Sequence, residues 1–192
     1  MSSYRLETGL ILSLLSIATP LSSIGISAYL SCWFDIYENA LSDLGHAVLS
    51  DVSPIFNLGL STGGLMMSIF GAKYIASYSR LIGFLVALTG YFLILVSVFN
   101  EIYGLLHFIV SFLFFTLLLL SMLFYVLKLG NRALIYTFIF LLGLNILAWY
   151  MHFALRIPRG AALPELISVF TVIPFYLHLS WRVSLLCKKV RP

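Results

Sequence analysis

Six long apolar segments occupy most of the 192-residue chain, and they constrain its fold more than any other feature. A helix needs about 20 mostly apolar residues to cross the hydrocarbon core of a bilayer. Six such segments and their short connections leave no room for a separate soluble domain. Their approximate bounds are Leu10–Leu30, Pro54–Ile75, Leu81–Phe99, Gly104–Leu127, Ala133–Ala154 and Pro164–Leu186.

The composition supports a membrane location. Hydrophobic residues make up 61% of the chain and charged residues 9%, and the mean hydropathy is +1.07. A soluble domain carries roughly 25% charged residues, which cover its surface in water. The segments are also continuous rather than alternating, which disfavours a β-barrel. We therefore predict an all-α polytopic membrane protein, with six transmembrane helices in one bundle and residues 1–192 forming a single transmembrane domain.

The first apolar segment follows the basic residue Arg5, as in a secretory signal peptide. However, the run from Leu10 to Leu30 is long enough to span, and no small-residue cleavage pattern follows it. We expect it to be retained as the first helix.

The basic residues predict the orientation of the bundle. Of the 11 lysines and arginines, only Arg156 and Arg159 fall on the predicted outer side. The positive-inside rule then places both termini in the cytoplasm and the chain in the cell membrane. This distribution also explains the net charge of +4 without nucleic acid as a partner. The basic residues of the inner side are Arg5, Lys73, Arg80, Lys128, Arg132, Arg182, Lys188, Lys189 and Arg191.

Most acidic residues fall on the opposite, outer side. The insertion rule does not require this, because acids contribute little to topology. Two interpretations remain open: solvated residues in short loops, or a functional outer face. The residues concerned are Asp35, Glu38, Asp43, Asp51, Glu101 and Glu165.

The longest connection covers residues 32–53 and is predicted to hold a short helix. Apolar residues recur at helical spacing at Ile36, Ala40 and Leu44. Aromatic residues precede them, which is typical of a helix lying in the membrane interface. The connection could also dock a protein partner.

The same helix would display Asn39, Asp43 and His46 on one side, because residues three or four apart are neighbours. Asn39, Ser42 and Asp43 could alternatively cap free backbone groups within the loop.

Small and amide residues in two segments predict close helix packing. Gly59, Gly63 and Gly64 would let the second helix approach a neighbour closely. Asn57 and Asn145 are expected to form hydrogen bonds between helices.

Three of the four histidines lie near the predicted outer surface. His46, His107 and His152, together with Glu101, are residue types that suit a divalent metal such as zinc. No H-x-x-x-H spacing is present, so a metal site would need several helices. A hydrogen-bonded network between helices is the alternative. Haem is not expected, because His178 lies deeper than the other histidines.

The last outer connection supplies Arg156 and Arg159, and Glu165 follows it. The arginines would hold a phosphate or carboxylate group of a lipid head group or small molecule. In an enzymatic version, Asp43 or His107 would act as a base on water or Ser42, in a membrane-embedded hydrolase of a lipid-like substrate. The alternatives are a non-catalytic accessory or scaffold subunit and a small transporter. The transporter is weakened by the lack of an evident inverted repeat.

Four stretches of the chain resemble a known family. Asn39–Gly45 reads N-x-x-S-D-L-G, and Ile55–Leu60, His107–Ser111 and Gly160–Glu165 follow it in order. Together they resemble a prokaryotic family of six-span membrane proteins (domain of unknown function 998). They are more distantly similar to the Frag1/DRAM/Sfk1 group, which is associated with lipid and membrane-trafficking roles. The resemblance implies a six-span bundle and supplies no reaction. The site positions that it implies are Asn39, Ser42, Asp43, His107 and Glu165.

Overall fold

The computed structural model describes residues 2–189, with side chains for residues 8–185, and every regular element in that part of the chain is helical. Six of the helices are long and apolar enough to cross a membrane. The protein is therefore a multi-pass membrane protein, as the sequence predicted. The helices are α1 (Ser2–Leu30), α2 (Ser53–Tyr78), α3 (Arg80–Val98), α4 (Leu105–Leu129), α5 (Arg132–Leu155) and α6 (Ala162–Lys189).

The helix boundaries follow local sequence signals. Gly130 ends α4 with a left-handed backbone (φ 64°), a conformation that glycine adopts without a steric penalty. The Asn131 side chain then caps α5 by accepting hydrogen bonds from two backbone N–H groups of its first turn. Two helices contain a π-helical turn near or at their ends, Gly71–Ile75 within α2 and Met151–Leu155 within α5. A short α-helical turn, Ala76–Tyr78, follows the first of these and carries α2 three residues past its predicted end.

The helices form a closed ring in which α1, α2, α3, α4 and α6 each contact the next, and α6 returns to α1. Helix α5 packs against α4 and α6, and most of its surface is exposed. Asn145 of α5 donates a hydrogen bond to Ser168 of α6 (2.8 Å), which confirms a predicted interhelical bond. The ring closes between two helices that are distant in sequence, α1 and α6.

Glycines allow α2 to pack closely on both neighbours. A Cβ atom at Gly63 would overlap Pro20 of α1, and one at Gly64 would lie 2.6 Å from the Gly90 carbonyl oxygen of α3. Gly71 meets α3 in the same way, with the Ala87 nitrogen 2.6 Å from an added Cβ. The predicted close packing of the second helix is confirmed.

The charged residues separate the two ends of the bundle. We call the end with the connections 31–52, 99–104 and 156–161 the acidic end, and the other the basic end. The positive-inside rule predicts that the basic end faces the cytoplasm. The acids at the acidic end are Asp35, Glu38, Asp43, Asp51, Glu101 and Glu165, and the basic end carries Lys73, Arg80, Lys128, Arg132 and Arg182.

The helix in the first connection is shorter than its apolar spacing predicted. Only Leu41–Gly45 is helical, as a 3₁₀ turn. Leu41 and Leu44 are buried, at 8% and 0% exposure. Their side chains therefore face the bundle and not the membrane interface, because the loop is folded down onto the helix ends. Asn57 of α2 helps to hold it there by donating to the Gly45 carbonyl oxygen (2.8 Å) instead of to another helix.

Candidate functional site

The N-x-x-S-D-L-G stretch, Asn39–Gly45, forms a compact loop that we call the signature loop. The Asn39 side chain accepts from the Asp35 backbone N–H (2.9 Å) and donates to the Asp43 carboxylate (3.1 Å). The same Asp43 oxygen accepts the backbone N–H of Ala40 (2.9 Å). Asn39 and Asp43 therefore cap the loop, which is one of the two roles the sequence allowed.

Two glutamates from other parts of the chain tie the signature loop to the bundle. The backbone N–H of Leu41 donates to Oε2 of Glu165 on α6 (2.7 Å). The Ser42 hydroxyl donates to Oε1 of Glu101, which lies between α3 and α4 (2.7 Å). The loop thus joins helix ends that are far apart in sequence.

The last connection lies against the same loop. The backbone N–H of Gly160 donates to the Tyr37 carbonyl (2.8 Å), and that of Ala162 donates to the Asn39 carbonyl (3.0 Å). A Cβ atom at Gly160 would overlap the Asn39 backbone, so only glycine permits this approach. The first and last connections at the acidic end therefore form one surface.

Three carboxyl groups meet beneath this surface, and we call Asp43, Glu101 and Glu165 the carboxyl cluster. Glu165 is 9% exposed, and it interacts electrostatically with both of the others. The pKa of Glu101 is raised to about 7, mainly by burial and also by the neighbouring Asp43, against the Ser42 hydroxyl, which lowers it. Glu101 is therefore expected to keep its proton up to nearly neutral pH.

The raised pKa of Glu101 predicts a contribution to stability that depends on pH. With a folded-state pKa above the ordinary 4.5, Glu101 takes up a proton on folding between about pH 4.5 and 7. This contribution of Glu101 to stability should be largest at acid pH and fall by about 1 kcal/mol as the pH rises through this range, since solvent screening reduces the effect of this half-buried group. We expect Glu101→Gln to remove this contribution, and so to change the slope of stability against pH, and to stabilise the protein at pH 8, because the amide mimics the protonated acid. Thermal unfolding in detergent at a series of pH values measures it.

Glu38→Gln is the matched control for this measurement. Glu38 pairs with Arg159 at 3.4 Å on the surface, where an ion pair contributes little to stability. The slope between pH 4.5 and 7 should be the same in this variant as in the unchanged protein. An unaltered slope in Glu101→Gln would contradict the raised pKa of Glu101.

His107 lies beside the carboxyl cluster at the start of α4. It is 9% exposed and close enough to Asp43 for an electrostatic interaction. Its Nδ1–H donates to the Phe99 carbonyl (2.7 Å), and Nε2 is 3.3 Å from the Ser111 hydroxyl. A carbonyl can only accept, so the ring is held with Nδ1 protonated and Nε2 available to accept from Ser111.

The other predicted site residues make their contacts elsewhere. Nδ1 of His46 accepts the backbone N–H groups of Val48 and Leu49 (3.3 and 3.2 Å), and the ring of His152 contacts the Pro158 carbonyl (3.0 Å). Arg156 is exposed, with a left-handed backbone.

The metal set assigned from the sequence was His46, His107, His152 and Glu101. Within residues 8–185, no group of three His, Cys, Asp or Glu side chains could hold a metal ion. A divalent metal at the acidic end therefore stays a prediction from residue type.

An apolar crevice between α1 and α6 is the feature that the sequence did not indicate. It has a volume of about 80 Å³, several times what one water molecule occupies on the same measure. Ile17 and Leu21 of α1 line it and are partly exposed, so it opens to the outside of the bundle. Met67 of α2 and Phe114 of α4 close it toward the centre of the bundle.

The crevice adjoins the carboxyl cluster. Leu41, whose N–H is bonded to Glu165, is one of its lining residues, and so is Leu166, the next residue after Glu165. A polar group at the cluster and an apolar chain in the crevice would therefore be continuous.

A family model matches residues 14–182 of the chain. No curated protein and no solved structure matches the chain. The likeness to the Frag1/DRAM/Sfk1 group accordingly stays a prediction. The match covers residues 14–182 and includes the signature loop, the carboxyl cluster and the crevice. The chain belongs to the family described as "Protein of unknown function (DUF998)".

Proposed function

We propose that this protein binds a membrane amphiphile at the acidic end, with the polar head at the carboxyl cluster and one hydrocarbon chain in the crevice between α1 and α6. The observation that carries the proposal is the position of Leu41. The backbone N–H of Leu41 donates a hydrogen bond to Glu165, and Leu41 also lines the crevice. Polar and apolar parts of one ligand would meet at this residue.

The cluster predicts the chemistry of the head group. Carboxyl oxygens accept hydrogen bonds, and the cluster supplies no positive charge, so it favours hydroxyl or amine groups over phosphate. The arginines that were expected to hold an anionic group lie at the rim. Arg159 is bonded to Glu38, and both side chains are largely exposed. We therefore favour an uncharged or cationic head group over an anionic one.

The proposal is for binding and not for catalysis. Ser42 donates to Glu101 and His107 donates to Phe99, so the serine and histidine of the hypothetical hydrolase are each engaged with another partner. A nucleophile requires its base within hydrogen-bond reach. Hydrolysis of a lipid-like substrate stays a prediction from residue type.

Filling the crevice tests the proposal. Ile24→Trp should reduce binding of monomyristoylglycerol by about tenfold or more, because Ile24 lines the crevice and the indole would occupy the space of the chain. The measurement is native mass spectrometry of the purified protein in nanodiscs loaded with this lipid. Lysophosphatidic acid with the same chain should bind less well, because of its anionic head group.

Ile26→Trp provides the matched control. Ile26 is on the same helix, is 50% exposed and is not a lining residue of the crevice. Its substitution should leave binding unchanged. Equal binding by the two tryptophan variants, or preferred binding of lysophosphatidic acid, would contradict the proposal.

A further inference from the structure

We infer that the hydrogen-bonded pair Ser16–Tyr176 is the floor of the crevice and sets the length of the hydrocarbon chain that it accepts. This inference rests on the proposed binding of an amphiphile and adds its chain-length specificity. Three features of the pair support it: its contacts, its depth and its surroundings.

The pair bridges α1 and α6 across the crevice. The Ser16 hydroxyl and the Tyr176 hydroxyl are 2.9 Å apart, and the two residues are 1% and 2% exposed. Both line the crevice. The Tyr176 ring is also supported edge-on by Phe70 of α2, with ring centroids 5.9 Å apart. A chain entering from the acidic end therefore meets a fixed aromatic ring and a closed hydrogen bond.

The depth of the pair corresponds to one leaflet. Leu166 lines the outer part of the crevice, and the ten residues from it to Tyr176 cover about 15 Å along a helix axis. The hydrocarbon core of a bilayer is about 30 Å thick, so the floor lies near its middle. The crevice thus matches the chain of a lipid that resides in the leaflet at the acidic end.

The surroundings keep the floor closed. The Ser16 hydroxyl donates to the Ser13 carbonyl oxygen (2.8 Å), so it accepts from the Tyr176 hydroxyl. Near the centre of a membrane there is no water to replace this bond, so separating the pair leaves the Tyr176 hydroxyl unsatisfied. A chain that is too long must bend out of the crevice at this point. A chain that is too short leaves a void and loses its dispersion contacts. Both effects favour one chain length.

Competition between chain lengths tests the inference. Equal amounts of monodecanoyl-, monomyristoyl- and monostearoylglycerol are presented in nanodiscs, and the bound species are counted by native mass spectrometry. Tyr176→Ala should raise the ratio of bound stearoyl to bound myristoyl lipid by about tenfold, because it opens the floor. Tyr176→Phe retains the ring and should retain the original order of preference.

A second variant acts in the opposite direction and avoids a cavity. Ile173 lines the crevice one turn above Tyr176 and is partly exposed, so a larger side chain can be accommodated there. Ile173→Phe should move the preference toward the decanoyl lipid. If size-exclusion chromatography shows that Tyr176→Ala does not fold, Ile173→Phe still tests whether the depth of the crevice sets the chain length.

The outcomes distinguish a failure of this inference from a failure of the proposed amphiphile binding. If Tyr176→Ala and Ile173→Phe both fold and keep the original chain preference, the Ser16–Tyr176 pair does not set the chain length. The proposed binding of an amphiphile is not contradicted by that result. If the unchanged protein binds none of the three lipids, the amphiphile proposal itself fails.

Discussion

Replacing Gly90 with leucine should prevent the bundle from folding stably, whereas leucine at Gly143 should be tolerated. A Cβ atom at Gly90 would overlap the Gly64 carbonyl oxygen and lie 2.6 Å from the Ser68 backbone nitrogen. These are backbone atoms of α2, so no side-chain rotation relieves the contact. We expect a cost of about 3 kcal/mol or more, since overpacking a tight contact commonly costs 1–3 kcal/mol even where side chains can move.

The cost is high because helices in a membrane associate mainly through close packing. Lipid tails are as apolar as leucine, so α2 and α3 gain little free energy when their side chains exchange contacts with lipid for contacts with each other. Their stability depends on contacts between the two backbones, which glycines at Gly64, Gly71, Gly83 and Gly90 permit. Separating the helices to admit one side chain would weaken all of these contacts together.

The measurement is the temperature at which the protein in detergent loses its monodisperse peak in size-exclusion chromatography. Gly143 is the control because an added Cβ there has no atom within 4 Å. Leucine at Gly143 should leave this temperature unchanged or raise it slightly, since glycine is a poor helix former. Similar behaviour of the two variants would show that the α2–α3 contact does not limit stability.

The six helices could be predicted because each depends on a local property of the sequence. An apolar run of sufficient length has to form a helix in lipid, where every backbone group needs a partner within the segment. The predicted ends are mostly within three residues of those observed. The larger difference is the start of α1 at Ser2, eight residues before the first predicted position. That extension is polar, so hydrophobicity could not indicate it.

Only part of the geometry of the signature loop was predictable from the sequence. Capping by Asn39 and Asp43 follows from residue type and short spacing. The bond from Leu41 to Glu165 does not, because it joins residues 124 positions apart and uses a backbone N–H that carries no sequence signal. The same bond holds Leu41 against the bundle, although the spacing of Ile36, Ala40 and Leu44 suggested an interfacial helix.

The crevice could not be predicted from the sequence. It depends on how α1 meets α6, and Ser16 and Tyr176 are 160 positions apart. The sequence does indicate one of its two walls. Buried serines recur along α1 at spacings of three, four and seven, which marks the face that turns toward the bundle. That pattern identifies the face but not its partner helix.

Glu165→Leu should release the signature loop from the bundle. It removes the acceptor of the Leu41 backbone N–H, and an unsatisfied buried N–H costs about 1–3 kcal/mol. Hydrogen–deuterium exchange of the Leu41–Gly45 amides should therefore accelerate by about tenfold or more. Exchange in the middle of α3 should not change, because the bundle itself is intact. Unaltered exchange in the loop would show that the glutamate does not hold it.

Glu165→Gln separates support of the loop from contact with a head group. The amide keeps one oxygen that can accept from Leu41, so the loop should remain protected. It replaces the other carboxyl oxygen with an NH₂ group, which cannot accept a hydrogen bond from a hydroxyl. Binding of monomyristoylglycerol should then fall by about tenfold with the loop in place, while Glu165→Leu loses both properties. If the glutamine variant binds as well as the unchanged protein, Glu165 supports the signature loop alone, and the head group must be held by Asp43 and Glu101.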